Sequence, residues 1–139
     1  MAKTTKLNFT QTLKLSAAVI APADTTTAKT VFTAGSDDAV VKAINVASTD
    51  TAARILSLFV NDGSNDILIG RVNIPANSGN NGTAATVDLL GGTLMPSLPY
   101  DANGKRVLPL PAGYILKAGT TTTVTSATAI TVTAIAEDY

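Results

Sequence analysis

The chain has 139 residues, and ten Lys and Arg balance ten Asp and Glu, so the formal net charge is zero and charged residues make up only 14% of the sequence. It contains no His and no Cys, and Glu137 is its only glutamate. The side chains that perform most proton transfer, nucleophilic attack and metal ligation are therefore scarce or absent. We expect no enzymatic activity, and no catalytic, cofactor-binding or metal-binding residues. A neutral chain also lacks the charge that attracts a polyanion, so we do not expect nucleic acid as a partner.

The length fits a single domain with one core. Because soluble proteins usually carry a net charge that keeps them apart, a neutral, 45% apolar chain is better suited to a subunit whose surface is covered by other subunits, and we expect a homo-oligomer. The longest apolar run, Ala17–Ala21, is too short to span a membrane. We do not expect a signal peptide ending near Ala21-Pro22-Ala23, because its apolar stretch is short and is interrupted by Ser16. The lack of Cys fits assembly in a reducing cytoplasm.

The N-terminal segment alternates apolar and polar residues. Leu7, Phe9, Leu13 and Leu15 occupy the apolar positions, and this period of two is typical of an extended strand with one apolar face. We predict that residues 1–22 form an N-terminal arm or edge strand and that residues 23–139 form a β-sandwich. The apolar face requires a cover, either the domain's own sheet or a neighbouring subunit reached by strand addition. Leu7, Phe9, Leu13 and Leu15 are accordingly the candidate partner-contact residues.

Short strands separated by turn residues follow. We predict a strand at Lys29–Thr33, and from Val40 a meander in which Ile44 and Val46 share one face. Asn61–Asn65 is rich in residues that tolerate positive φ, which predicts a hairpin between the strands on either side of it. Its core is predicted to consist of residues on one face of the two strands, namely Leu56, Leu58, Val60, Leu68, Val72 and Ile74.

The second half continues the pattern. A strand is predicted at Thr86–Leu90, and the prolines of Met95–Tyr100 and Leu108–Pro111 confine those two segments to edges or loops. Further strands are predicted at three C-terminal segments, Tyr114–Lys117, Thr121–Thr125 and Ala129–Ala136. About eight short strands with regular turns indicate an all-β, antiparallel sandwich or barrel.

The Asp-rich loops have ordinary explanations. Asp62–Asp66 and Asp101–Lys105 alternate oxygen-bearing side chains near a glycine, as calcium loops do, but neither supplies the bidentate carboxylate that such a loop needs. We expect both to be turns, because turns favour Asp, Asn and Gly. Adjacent residues of a strand point to opposite faces, so Asp37-Asp38 is not expected to form a carboxylate pair.

Several segments together resemble one class of protein. The runs Leu94–Gly104 and Val107–Ala118, with Ser48–Ala53 before the hairpin and the terminal Glu137–Tyr139, are similar to small virion structural proteins of tailed bacteriophages, of the capsid decoration or cement type. The resemblance covers most of residues 28–139 and consists of turn and strand patterns. It implies a jelly-roll sandwich, a position on the capsid exterior against the major capsid protein, assembly in the host cytoplasm, and no catalytic residue.

Two functions follow as expectations. The first is a decoration protein that binds the major capsid protein lattice and stabilises the phage head. The second is a receptor- or glycan-binding module of a tail or fibre, with a concave site in the loops Ala76–Gly82 and Asn61–Asn65. Copy number separates them, because a shell protein is present in hundreds of copies and a tail protein in a small multiple of three or six.

Overall fold

The structure is a computed structural model that describes residues 12–91 and 94–138. In these ranges the chain forms nine strands and a short 3-10 helix, Pro22–Asp24, that follows the first strand. The strands are β1 Thr12–Ile20, β2 Lys29–Thr33, β3 Ala39–Ser48, β4 Arg54–Asn61, β5 Asp66–Ile74, β6 Val87–Asp88, β7 Leu108–Leu110, β8 Ile115–Thr120 and β9 Ile130–Asp138. The all-β class predicted from the strand and turn patterns is confirmed.

The strands form two antiparallel sheets that pack face to face. Sheet A has the order β1-β9-β3-β6, and β7 pairs with a different part of β3, on the side that β6 also occupies. Sheet B has the order β2-β8-β4-β5. If β6 and β7 are counted as one position, the eight positions have the strand order of a jelly roll. The first and last strands of the sandwich are therefore neighbours in sheet A.

The core lies between the inner faces of the two sheets. Ile44 and Val46 of β3 are fully buried, as their alternation predicted, and they face Ala134 and Val132 of β9. The predicted hairpin is also confirmed, since β4 and β5 pair around the loop Asn61–Asn65. Five of the six residues predicted for its core are buried, namely Leu56, Leu58, Val60, Val72 and Ile74.

Leu68 corrects the sixth position. The register of β4 and β5 shifts so that Leu58 faces Gly70 while its neighbour Phe59 faces Leu68, which leaves Ile69 as the extra residue of a β-bulge. One extra residue reverses the alternation of the strand, so Leu68 points outward and is 44% exposed. The prediction for Leu68 was wrong because it assumed an unbroken alternation. The bulge that reverses the alternation is not visible in the composition of the strand.

Two predicted strands also differ from the structure. Thr86–Leu90 contributes only the two residues of β6. Thr121–Thr125 is not a strand, although its β-branched residues favour one. This segment is held as a loop because Arg54 donates hydrogen bonds to the hydroxyls of Thr122 and Thr125, at 3.1 and 2.9 Å. The hydrogen bonds of the loop thus outweigh its local strand preference.

Candidate interaction surface

In strand β1, apolar side chains point to solvent and polar side chains occupy part of the inner face. Antiparallel sheets of a sandwich normally turn apolar side chains inward and polar ones to solvent. In β1 the inner face includes Lys14, which is exposed, and Ser16, which is half-buried, and only Ala18 and Ile20 are buried there. The apolar residues at the odd positions point outward. The alternation of β1 therefore places apolar side chains on the surface of the domain as well as in its core.

The outward side chains form a continuous apolar stripe, which we call the β1 face. Leu13 is 70% exposed, Leu15 is 73% exposed and Val19 is 49% exposed. Ile135 of β9, which lies directly opposite Leu15 in the sheet, is 38% exposed. The β1 face consists of Leu13, Leu15, Ala17, Val19 and Ile135. Contiguous exposed apolar surface of this kind is typical of protein interaction sites.

Away from β1, the outer surface of sheet A has more polar side chains. Asn45 of β3 lies opposite Asp88 of β6, and both are exposed. Lys42 lies 3.9 Å from Glu137 and 3.6 Å from Asp101, which balances its charge locally. The outer surface of sheet A thus changes from apolar at β1 to mixed at β3, and the apolar side coincides with the margin of the sheet.

The candidate residues predicted from the sequence divide into two pairs. Leu7 and Phe9 lie outside the residues that the structure describes. Leu13 and Leu15 belong to the β1 face, in a strand that pairs with β9 from Thr12 opposite Asp138 to Ile20 opposite Ile130. Residues 12–20 are thus an edge strand of the sandwich itself, so a deletion of residues 1–15 would damage sheet A as well as the proposed contact. The division of the chain at residue 22 stays a prediction.

The free backbone groups of β1 can be assigned from hydrogen bonds nearby. Thr49, which follows β3, donates its backbone N–H to the carbonyl of Ala129, which precedes β9, at 2.9 Å. The backbone groups of successive strand residues point to alternate sides, so odd-numbered residues of β9 direct theirs toward β3 and even-numbered residues direct theirs toward β1. The even-numbered residues of β1 face those even-numbered residues of β9. Leu13, Leu15, Ala17 and Val19 therefore direct their N–H and C=O groups away from the sheet. We call these groups the β1 edge.

One end of the β1 edge is already occupied. Lys29 Nζ of strand β2 donates a hydrogen bond to the Val19 carbonyl at 2.7 Å, and it also lies 3.4 Å from Asp24. This contact confirms the outward direction of the Val19 carbonyl. Beside the other end, a groove of about 510 Å³ separates β1 from β2 and is lined by residues that include Lys14, Ser16 and Phe32. Among the residues that the structure describes, none occupies the β1 edge from Leu13 to Ala17.

A second concavity lies at the polar side of sheet A. It has a volume of about 420 Å³ and is lined by residues that include Lys42, Asp88, Tyr100 and Lys105. The guanidinium of Arg106, which also lines it, lies 4.4 Å from the centre of the Tyr100 ring. The lining has three cationic side chains, those of Lys42, Lys105 and Arg106, and one carboxylate, that of Asp88, so the cavity offers hydrogen bonds, positive charge and an aromatic ring.

The loops predicted for a receptor site use their polar side chains internally. Asp62 accepts backbone hydrogen bonds from Ser64 and Asn65 at 3.0 and 2.9 Å, and those donors lower the pKa of its carboxyl. Asn81 likewise accepts from Thr83 and Ala84 at 2.9 and 3.0 Å. Asp101, in the other loop that resembles a calcium site, accepts from Lys105 and Asn103 at 2.9 Å each. These side chains therefore stabilise turns, and the described residues contain no cluster of acidic side chains that could hold a metal ion.

A buried carboxylate ties two loops together at one end of the sandwich, the loop after β3 and the loop before β9. Asp50 is fully buried and accepts from Ala52 N at 2.9 Å, Arg54 Nε at 2.7 Å, and Thr125 N and Oγ1 at 3.1 and 2.7 Å. Burial by itself raises the pKa of Asp50, but the bonds from Arg54, Ala52 and Thr125 outweigh it and hold the pKa well below its usual range. This network could not be predicted from the sequence, because its members are up to 75 residues apart.

In the described parts of the chain, no helix is long and apolar enough to cross a membrane. Neither protein-family models nor curated protein sequences gave a match to this chain. Among solved structures, the chain is similar to a chain of the virus-like particle of extra small virus from the giant freshwater prawn Macrobrachium rosenbergii, with 12% identity and a TM-score of 0.36. The alignment covers 100% of this chain and 87% of that chain. A TM-score this low carries no argument about the function of this chain.

Proposed function

We propose that this chain is a non-enzymatic virion structural protein that decorates the outside of a phage head. In this role its β1 face binds the lattice of the major capsid protein, bridges neighbouring subunits and stabilises the shell. The observation that carries the proposal is the β1 face, because an apolar stripe on the outside of a folded sandwich indicates a protein surface as its cover.

The composition supports a shell over a freely diffusing protein. A net charge of zero removes the repulsion that keeps soluble proteins apart. Repetition over a symmetric lattice multiplies a modest contact, so each copy needs no strong ion pair. The jelly-roll order is compatible with this role, since jelly rolls occur in viral capsid domains, although the same fold carries other functions.

The cavity beside Tyr100 favours one alternative. Jelly rolls also form lectin domains, and a tyrosine ring near Arg106, Lys42 and Asp88 could contact the faces and hydroxyls of a sugar. The chain would then be a receptor- or glycan-binding module of a tail or fibre, with its site at this cavity and not in the loops 61–65 and 76–82.

Copy number tests the two functions. Virions purified from the source virus are separated on a denaturing gel, and the band of this chain is compared with that of the major capsid protein by densitometry. The decoration role predicts hundreds of copies per particle. A small multiple of three or six would support the tail module and contradict the decoration role, and absence from virions would contradict both.

A further inference from the structure

We propose that strand β1 is a self-association edge, at which two copies of this chain pair their β1 strands antiparallel about a two-fold axis. The two sheets A would then form one continuous sheet. The proposal depends on the fold and not on the virion role, so a dimer should form in solution without any capsid.

Strand β1 differs from the other edge strands of the two sheets. Unpaired strand edges bind other strands unless they are short, bulged, charged or interrupted by proline. Sheet B ends at β2, whose register shifts between Thr30 and Phe32, and at β5, which carries the bulge at Ile69. On the other side of sheet A, β6 has two residues, and β7 has three, with Pro109 at its centre. Each of these edges is protected against pairing.

Strand β1 lacks such protection over most of its length. It has nine residues, its register with β9 is unbroken, and it contains no Gly or Pro and a single charge, Lys14. Within residues 12–91 and 94–138, the one outward group of β1 that is blocked is the Val19 carbonyl, which accepts from Lys29. The N–H and C=O groups of Leu13, Leu15 and Ala17 remain directed outward, enough for about six hydrogen bonds to a partner strand at two per facing pair.

A second β1 is the partner that fits this edge. In an antiparallel pair, two residues that face each other must both direct their backbone groups across the interface, so the odd-numbered residues of one copy face odd-numbered residues of the other. Every such register places the outward apolar side chains of both strands on one face. Any other partner would have to supply a strand of this length and pattern. A second copy supplies it because its sequence is the same.

The Lys29 contact selects the register. If Leu15 faces Leu15 of the second copy, Leu13 faces Ala17 and the blocked Val19 carbonyl is not needed. In this register Lys14 lies opposite Ser16 and not opposite the other Lys14, so no like charges face each other. The groove between β1 and β2 leaves room beside this pair. Of the inward residues that face it, Ser16 is small, whereas Ala18 stays buried in the core of its own copy.

A cysteine crosslink tests the register directly, because the chain has no cysteine of its own. Facing residues of a hydrogen-bonded pair have Cα atoms about 5.5 Å apart, which is within the range of a disulfide. We expect Leu15→Cys to form a disulfide dimer on mild oxidation of the full-length protein. Ile55→Cys, on the outer face of sheet B, is the control; Ile55 is 45% exposed and Leu15 is 73% exposed, and the Ile55→Cys variant should remain monomeric on a non-reducing gel.

Two further variants separate the backbone contact from side-chain packing, with sedimentation velocity as the measurement. Wild type should sediment as a dimer. Ala17→Pro removes an N–H that points away from β9, and Leu15→Lys places two charges opposite each other at the axis, so each should sediment as a monomer. Ile55→Lys should stay dimeric. Circular dichroism with a thermal melt verifies that each variant is folded.

The proposal is overturned if wild type is monomeric at high micromolar concentration and Leu15→Cys gives no more crosslink than Ile55→Cys. It is also overturned if folded Leu15→Lys stays dimeric, because the contact then lies elsewhere on the chain. Should Ala17→Pro fail to fold, Leu15→Lys and the crosslink decide the question. None of these results depends on whether the protein is found in virions.

Discussion

Asp50 is the residue in which charge and burial are most closely linked to the fold. Its carboxylate joins the loop after β3 to the loop before β9, and its backbone carbonyl also accepts from Asn77 N at 2.9 Å. The side chain of Arg54, its ionic partner, is 18% exposed and Asp50 itself is fully buried. Removal of one member of such a pair leaves the other without its ionic partner at a site largely closed to water.

We predict that Asp50→Asn destabilises the domain by about 3 kcal/mol. The substitution replaces a carboxylate oxygen by an NH2 group, which would face N–H and O–H donors and could not accept their hydrogen bonds. Urea unfolding of both proteins at neutral pH measures the difference. Asp24→Asn is a suitable control, since Asp24 is on the surface and its side chain accepts one backbone hydrogen bond, from Ala21 N. Equal midpoints for wild type and Asp50→Asn would show that the network contributes nothing.

The same contact predicts a pH dependence. The pKa of Asp50 is lowered in the folded protein, whereas in the unfolded chain it is about 3.9. The unfolded state therefore binds the proton first as the pH falls, so the stabilisation is complete above about pH 5 and decreases below about pH 4. The difference between wild type and Asp50→Asn should shrink accordingly between pH 5 and the acid range. A difference that is constant over this range would contradict the lowered pKa.

At the scale of elements, the sequence predicted most strands and missed the features that depend on long-range contacts. Lys29–Thr33 has the predicted bounds, and the hairpin around Asn61–Asn65 follows from its turn residues. Thr121–Thr125 could not be predicted, because the contacts that hold it as a loop come from Arg54, far away in sequence. The bulge at Ile69 has no turn residue of its own to reveal it, apart from the neighbouring Gly70.

The hairpin gives a paired stability prediction. Leu58→Ala removes a fully enclosed side chain between the sheets and should cost about 2 to 5 kcal/mol in the free energy of unfolding. Leu68→Ala, in the partner strand, should cost under about 1 kcal/mol, since Leu68 points outward beyond the bulge. Chemical denaturation of both variants tests the register. Similar losses at the two positions would mean that the alternation is not reversed at Ile69.

The candidate site was partly accessible from the sequence. The alternation of Leu13 and Leu15 identified an apolar stripe, and a period of two is enough to place them on one face. It could not decide which face of the sheet they occupy, or that Ile135 of the last strand would extend the stripe. Those facts depend on the pairing of the first strand with the last, which the jelly-roll order provides.

At the scale of the whole molecule, one sheet carries two distinct contacts. The β1 edge is suited to a second copy, whereas the β1 face remains outside the sandwich whether or not the edge is paired. A dimer would place two β1 faces side by side and double the apolar area offered to a capsid lattice. The two contacts can be separated by mutation because Ile135 lies in β9, next to β1, and contributes a side chain to the face but no backbone group to the edge.

Binding of Ile135→Lys to capsids that lack this protein is the most direct measurement of the proposed role. Particles are made from a genome without the gene, incubated with purified wild type, Ile135→Lys or the control Ile55→Lys, and pelleted, and the bound protein is measured on a gel. We predict that wild type and Ile55→Lys decorate the particles equally. Ile135→Lys should still sediment as a dimer but bind at least about tenfold more weakly, because its charge would be buried against the lattice. Decoration by Ile135→Lys at the level of wild type, or failure of wild type to bind, would contradict the assignment of the β1 face as the surface that holds this protein on a capsid.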